Sequence, residues 1–415
     1  MTTLRSRHAN LRIDLDRLMG RLMELGQVGA LEGGGVCRLA LSDADRRGRD
    51  LVCGWMHELG LDVTVDRMGN VVGIRPGTED GPPVMAGSHI DTVATGGLYD
   101  GNLGVLAGLE VVATLNDAGI VTRRPVAVGF FTNEEGARFA PDMMGSAVHQ
   151  GTLDLDSALA AQDKDGAAAG EELARIGYAG DAEVGSFRAH CFFELHVEQG
   201  PVLEESGEEI GAVTGVQGIS WTEYRISGVS NHAGTTPMRL RHDAGYCAAS
   251  IAVEARAIAR DLGGDQVATV GVTDLTPNLI NVIAKAAVVT VDLRNTDDDV
   301  LKAAEARMAV HVAALAEAEG VTIQARTLAR FAPVVFDGAM VDLVAETAAA
   351  LGHTVRRMPS GAGHDAQMFA PNCPTAMVFV PSKDGISHNT REYTAPEQIR
   401  AGADVLLQVM LANAE

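Results

Sequence analysis

Long apolar runs are missing from this chain. None reaches the roughly 18 uninterrupted residues that a membrane-spanning helix needs, and the opening MTTLRSRHANLRIDLDRLMG has no apolar core of the kind an export signal carries. The expectation is a cytoplasmic protein. Basic residues are also scarce: 33 Lys plus Arg face 55 Asp plus Glu in 415 residues, a formal net charge of −22. Such a chain repels phosphate backbones and anionic headgroups, so nucleic-acid and membrane-surface roles are disfavoured. Cysteine is sparse too. Cys37, Cys53, Cys191, Cys247 and Cys373 are odd in number, scattered and free of any CxxC pair, and so point to neither a disulfide framework nor a cysteine zinc site. No internal repeat of roughly 20–50 residues marks a solenoid.

What is present fits a globular α/β protein: 46% apolar and 21% charged residues, with 47 glycines against 14 prolines. The length allows two domains at roughly 150 residues each. Short β-like runs at 70–75, 84–88, 125–132, 190–197 and 375–380 alternate with helical periodicity near 12–25, 44–59, 103–118, 339–351 and 397–412. These elements predict a layered domain around a mostly parallel, buried sheet, made of residues 1–213 and 328–415. Residues 214–327 read as strand, helix, two strands and helix, the order of a ferredoxin-like α+β sandwich inserted into the first domain. The alanine-rich stretch 157–175 reads as a surface excursion.

Several chemically active side chains stand where buried runs end. In GSHIDTV, His89 and Asp91 are two residues apart and project from one face of an extended backbone. That spacing suits a metal-bound imidazole whose other nitrogen is held by the Asp91 carboxylate, although a lone His-x-Asp also occurs structurally. Asp100, in LYDGNLG, sits at a glycine-flanked turn just before a helix, where taken alone it reads first as a turn or N-cap aspartate. The run ending at Phe131 delivers Glu134 and Glu135, and adjacent acids at the carboxyl end of a buried strand mark the usual position of a site in such sheets. HCFFEL delivers His196, with Glu198 and Gln199 behind it, and TAMVFVPS leads to His388. Three histidines and two carboxylates supply the ligands of a two-metal hydrolytic centre.

The motifs GSHIDTV, YDGNLGV, TNEEGARF, ELHVEQGP, NHAGTTPM, LINV, DLR, SGAGHDAQ and GISHN, in this order from about residue 80 to 392, resemble the dinuclear-zinc amidohydrolases that include N-carbamoyl-L-amino acid hydrolase, allantoate amidohydrolase and β-ureidopropionase. The resemblance implies a catalytic domain interrupted by a smaller lid and dimerisation domain. It implies two divalent ions, zinc being the best match, with manganese, cobalt and nickel also compatible with the donor set. Asp100 would bridge them, His89 and His196 would serve one ion, and Glu135 and His388 the other. Glu134 would be the general base, taking a proton from the attacking water and passing it to the departing nitrogen. In the inserted domain, the resemblance makes His232 an oxyanion-stabilising residue that reaches into the partner's site of a homodimer. Asn281 and Arg294 would hold the substrate carboxylate, with Gln199, Gln217, Gly361 and Gly363 contributing to the rest of the substrate and His364 and Asp365 organising their loop. A peptidase of the wider superfamily usually has a carboxylate where this chain has His196, which points to the ureido-cleaving branch.

Two departures stand out. Ala284 and Lys285 follow NVI where proline and glycine are expected, placing the turn after Asn281 in question, and Asn295 follows Arg294 where aspartate is frequent. The expected activity is hydrolysis of N-carbamoyl-L-amino acids to amino acid, ammonia and carbon dioxide. Allantoate and β-ureidopropionate are the alternative substrates, followed by an aminoacylase or dipeptidase activity, and a non-catalytic metal-binding scaffold is the reading from a different class.

Overall fold

The structure is a computed structural model and describes residues 8–186 and 188–415. Thirteen strands are present among them: β1 (Asp62–Val65), β2 (Val71–Arg75), β3 (Val84–Ser88), β4 (Val126–Phe130), β5 (Cys191–Val197), β6 (Ile210–Val216), β7 (Gly218–Ser227), β8 (Val267–Thr276), β9 (Ala286–Asn295), β10 (Thr322–Phe331), β11 (Val334–Val335), β12 (Val355–Ser360) and β13 (Thr375–Val380). The chain divides into two compact units, one of residues Met1–Gly215 and Val335–Glu415, the other of Val216–Val334.

The first unit is built on a nine-stranded sheet in the order β1-β2-β4-β3-β5-β13-β6-β11, with β12 paired to β6. Its centre is parallel: β4 with β3, β3 with β5, and β5 with β13. The margins are antiparallel, β1 on β2, β2 on β4 and β6 on β13. Every residue of β3, β4, β5 and β13 is buried, as central strands of a covered sheet must be, and β4 and β13 are apolar almost throughout rather than alternating. The helix Asn102–Asp117 is buried from Asn102 to Leu115, and its glycines let it lie close to the sheet: a Cβ on Gly104 would stand 2.6 Å from the Leu195 carbonyl oxygen. The C-terminal helix Pro396–Ala414 packs against it and against β3, β5 and β13. At the N-terminal side, Asp14 caps the helix Leu15–Gly26, which buries Leu18, Leu22 and Leu25 at the spacing of one helical face.

The second unit follows the expected βαββαβ order, with helices Ala244–Leu262 and Asp298–Glu319 and an antiparallel sheet in the order β10-β7-β9-β8. On β9, residues 287, 289, 291 and 293 are buried and the intervening ones half-exposed, so the helices cover a single face. The expected border at 327 falls inside β10, because that strand stays paired with β7 as far as Phe331 opposite Ile219. The 157–175 stretch is only partly an excursion. It runs into the helix Ala169–Ile176, which buries Ala169, Leu173 and Ile176, and Asp163 and Glu172 pair with Arg138 at 3.1 and 2.7 Å. All five cysteines are free thiols. No helix among the described residues is long and apolar enough to cross a membrane.

Candidate metal centre

Four neighbouring parallel strands deliver their carboxyl ends to one edge of the sheet, and the candidate residues sit on these ends. His89 follows the last residue of β3, Glu134 and Glu135 lie just beyond β4, His196 is the penultimate residue of β5, and His388 lies in the segment after β13. Left-handed backbone at Asn133 (φ 57°), Gln199 (φ 59°) and His388 (φ 51°) turns each chain sharply there.

Asp100 is the hub. Its Oδ1 lies 3.6 Å from His89 Nε2 and 3.3 Å from His196 Nε2, while its Oδ2 lies 3.5 Å from His388 Nε2. His388 Nε2 is in turn 3.3 Å from Glu135 Oε2, and His89 Nε2 is 3.3 Å from Glu134 Oε2, so the two adjacent glutamates turn to opposite sides. His89, Asp100 and His196 converge within 4.8 Å as one group of donors, and Asp100, Glu135 and His388 as another. Gly101 makes the approach possible: at φ 65° it accepts a backbone most residues avoid, and a Cβ there would lie 2.4 Å from the His89 ring.

The hydrogen bonds fix which nitrogens face inward. His89 Nδ1 donates to the Asp91 carbonyl (2.9 Å) and His196 Nδ1 to the Val197 carbonyl (2.8 Å). A carbonyl only accepts, so each Nδ1 carries a proton, and both Nε2 atoms are the ones turned toward a carboxylate oxygen. Imidazole nitrogens and carboxylate oxygens converging in this way could hold a metal ion, and the donor set suits zinc and its neighbours. Asp91 thus acts otherwise than its spacing suggested. Its backbone, not its carboxylate, holds His89, and the carboxylate accepts instead from the Glu134 and Glu135 amides at 3.3 and 3.4 Å.

Charge tells the same story. Burial pushes Glu134 well above the ordinary carboxylate range and Glu135 up to about 8. Burial opposes the charged form of Asp100 as well, but His196 and His89 outweigh it and hold this carboxyl well below its usual value. Burial likewise disfavours a charged His89, yet Glu134 and Asp100 raise its pKa. A buried cluster of carboxyls and imidazoles of this kind suits a metal ion, which would take the place of its protons.

Three supporting acids or hydroxyls escaped the sequence reading. Glu194, two residues before His196 on fully buried β5, accepts from Ser88 Oγ at 2.6 Å and the Ala366 amide at 2.8 Å. An acid inside CFFELHV was the available signal. Glu392 Oε1 accepts the Tyr99 and Asp100 amides at 2.8 and 3.2 Å, and Ser387 Oγ donates to Asp100 Oδ2 at 3.2 Å. Gln199, expected on the substrate, has its Nε2 donating to Asp100 Oδ2 at 3.0 Å. A cleft of about 110 Å³ opens over the centre, with Gly363, Ala362, Asp142 and Gln199 in its wall. Gly361 lies one residue outside that wall, His364 is buried with Nε2 2.8 Å from Ser360 Oγ, and burial pushes Asp365 up to about 8.

The remaining candidates are in the second unit. His232 is exposed, and its Nδ1 accepts the Gly234 and Thr235 amides at 3.0 and 3.2 Å. Those bonds leave the proton on Nε2, which makes the ring a hydrogen-bond donor. Asn281 is beside it, its carbonyl accepting the Ala233 amide at 3.0 Å. The turn after Asn281 is well formed despite Ala284 and Lys285, because the Ala284 carbonyl accepts the Ala244 amide and the Lys285 amide bonds Thr276. Arg294 stands on the open face of β9, its guanidinium held by Asp292 (Nη2 to Oδ2 3.0 Å) and lying 5.9 Å from the centre of the Trp221 ring. Asn295 does not orient it, being bonded to Gln266. Gln217 immediately precedes β7, whose Ile219 pairs with Arg294.

This two-unit α/β fold with its carboxylate-bridged histidines is that of the Peptidase family M20/M25/M40. The model of that family matches residues 85–412, and the chain belongs to it. More particularly, the chain is 43% identical over 407 residues to an N-carbamoyl-L-amino-acid amidohydrolase of Rhizobium meliloti, covering 98% of each chain. It is 32% identical over 389 residues to an allantoate amidohydrolase of Bacillus subtilis, covering 93% of this chain and 94% of the other. Among solved structures, an amidase of the hydantoinase/carbamoylase family from Burkholderia multivorans is 47% identical with a TM-score of 0.95, over 98% of this chain and 99% of that one.

Proposed function

We propose that this protein is a metal-dependent amidohydrolase that cleaves the ureido C–N bond of N-carbamoyl-L-amino acids, releasing the amino acid, ammonia and carbon dioxide. The observation that carries the reading is the full-length likeness to a carbamoyl-amino-acid hydrolase, greater than that to the allantoate hydrolase. The inward-facing donors around Asp100 support it. His89 and His196 with Asp100 would hold one divalent ion, Glu135 and His388 with Asp100 a second, zinc being the ion we favour. When bound, such ions polarise the attacking water and the ureido carbonyl.

The chain's own groups do the rest. Glu134 takes the proton of the attacking water and delivers it to the departing nitrogen, a role that suits a buried carboxyl with raised proton affinity. Asp91 fixes Glu134 through its amide. Arg294 and Asn281 bind the substrate carboxylate, Gln217, Gly361 and Gly363 the remainder, and Gln199 steadies Asp100 at the substrate's edge. The protein works as a cytoplasmic homodimer in which the partner subunit's His232 donates its Nε2 proton to the developing oxyanion. In this reading the second unit, Val216–Val334, forms the lid and dimerisation domain.

The test is ammonia release by zinc- or manganese-loaded protein from N-carbamoyl-L- and D-amino acids, allantoate, β-ureidopropionate and N-acetyl amino acids. Preferred turnover of the carbamoyl-L-amino acids is expected. Preference for allantoate would move the protein to ureide breakdown with the same site, and silence on all ureido compounds would refute the reading. Glu134→Gln is expected to keep fold and metal while losing about 10²–10⁴ in turnover.

A further inference from the structure

We propose that Arg38 is a positioning residue of the metal centre, its guanidinium tying the loop that carries His89 and Asp91 to the start of the helix that follows Asp100. The inference rests on the reading of those residues as a metal site. Arg38 is fully buried. Its Nε donates to the Ile90 carbonyl at 2.6 Å, Nη2 to Asn102 Oδ1 at 2.7 Å, and Nη1 to the Leu25 and Val28 carbonyls at 3.0 and 2.8 Å. The backbone joins in: the Arg38 amide donates to Thr92 Oγ1 at 2.8 Å and its carbonyl accepts the Thr92 amide at 2.9 Å. Residues 90–92 are therefore gripped on both sides.

All four side-chain acceptors are neutral, so this buried charge is not explained by a salt bridge with them. Two of them, Leu25 and Val28, are carbonyls at the end of the helix Leu15–Gly26, where any cation is favourable. The other two flank the site. Ile90 separates His89 from Asp91, and Asn102 is two residues past Asp100, so one rigid planar group spans the two segments whose separation sets the His89 to Asp100 distance. Room for it comes from Gly48, where a Cβ would stand 2.8 Å from Arg38 Cδ.

These two duties separate by mutation. Arg38→Lys keeps a cation for the helix end but cannot reach four acceptors in three directions. The metal-free protein is titrated with zinc against a fluorescent chelator, well below its melting temperature. Zinc affinity is expected to fall at least tenfold, the range known for outer partners of metal ligands. A lowered melting temperature with zinc affinity within twofold of the parent would show a structural role alone and overturn the proposal. Should Arg38→Lys not fold, Gly48→Ala decides: it pushes the same guanidinium aside without changing it, and a fivefold or larger loss of affinity supports the proposal while unchanged affinity overturns it. A parent protein that binds no divalent ion would refute the metal centre itself, and this role with it.

Discussion

Stripping the divalent ions is expected to make stability strongly pH-dependent. Asp91, Asp100, Glu134, Glu135, Glu194, Asp365 and Glu392 are buried around one pocket. In the metal-free protein burial pushes Glu135 and Asp365 up to about 8 and Glu392 up to about 7, against ordinary carboxylate values near 4 in the unfolded chain. Folded values above unfolded ones mean that the folded state holds protons the unfolded state has released. The associated stability is complete below about pH 4 and is lost as the pH climbs through 8. The raised pKa of His89 acts in the same direction, and the lowered one of Asp100 matters only in stronger acid. Each extra proton costs about 1.4 kcal/mol per pH unit, so Glu135 alone removes about 3 kcal/mol between pH 5 and 7. Divalent ions take the place of these protons, and their binding improves as the ligands deprotonate. Melting curves of chelator-treated and zinc-loaded protein should therefore diverge steadily from pH 5 to 8, the metal-free form falling. Parallel curves over that range would refute the electrostatic account of the pocket.

Three further outcomes follow from the geometry. Glu110 is fully buried inside the helix Asn102–Asp117 and takes two 2.7 Å bonds from Arg17, so Arg17→Met should cost about 2 kcal/mol by removing two charge-assisted bonds from a carboxylate that keeps the Asp14 amide, the Thr114 hydroxyl and Arg21 at 3.9 Å, read as a lower melting temperature with unaltered zinc stoichiometry. His388 is half-exposed and belongs to only one of the two donor groups, so His388→Ala should reduce bound metal from two ions toward one by elemental analysis while the melting curve of the metal-free protein is unchanged. Arg294→Lys should raise KM at least tenfold for carboxylate-bearing substrates with a smaller change in kcat, since a point charge cannot replace the planar fork; an unaltered KM would remove Arg294 from substrate binding.

Residues at the ends of continuous apolar strands were legible because two independent signals coincide there, a buried run and polar groups that such a run has no reason to deliver. Hence His89, Glu134, Glu135, His196 and His388 could be named from sequence. β1 and β12 escaped for the converse reason: DVTV and VRRMPS lie at the sheet margin, half-exposed and with mixed character. Glu392 and Arg38 were invisible as well. Each is a single charged residue whose importance comes from backbone groups distant in sequence that it bonds, and no periodicity records such a bond. Asp91 shows the limit from another side, since side-chain spacing cannot reveal that the backbone carbonyl, not the carboxylate, holds the neighbouring ring. The border at 327 failed because counting elements locates a strand without measuring how long it stays paired.

The two points at which the second unit leaves and rejoins the first lie side by side. β6 and β11 are neighbours in one sheet, and the Phe336 amide bonds the Thr214 carbonyl at 3.0 Å. Closing the ladder therefore asks little of whatever lies between, since the cost of joining two ends grows only slowly with the length of the loop. All five proposed ligands and Glu134 are outside that segment, while His232, Asn281 and Arg294 are within it. In the proposed scheme the metal donors and the proton-carrying glutamate thus stand on strand ends that the insert does not interrupt, so a change of length within the insert leaves the closing ladder, and the framework that spaces those donors, in place.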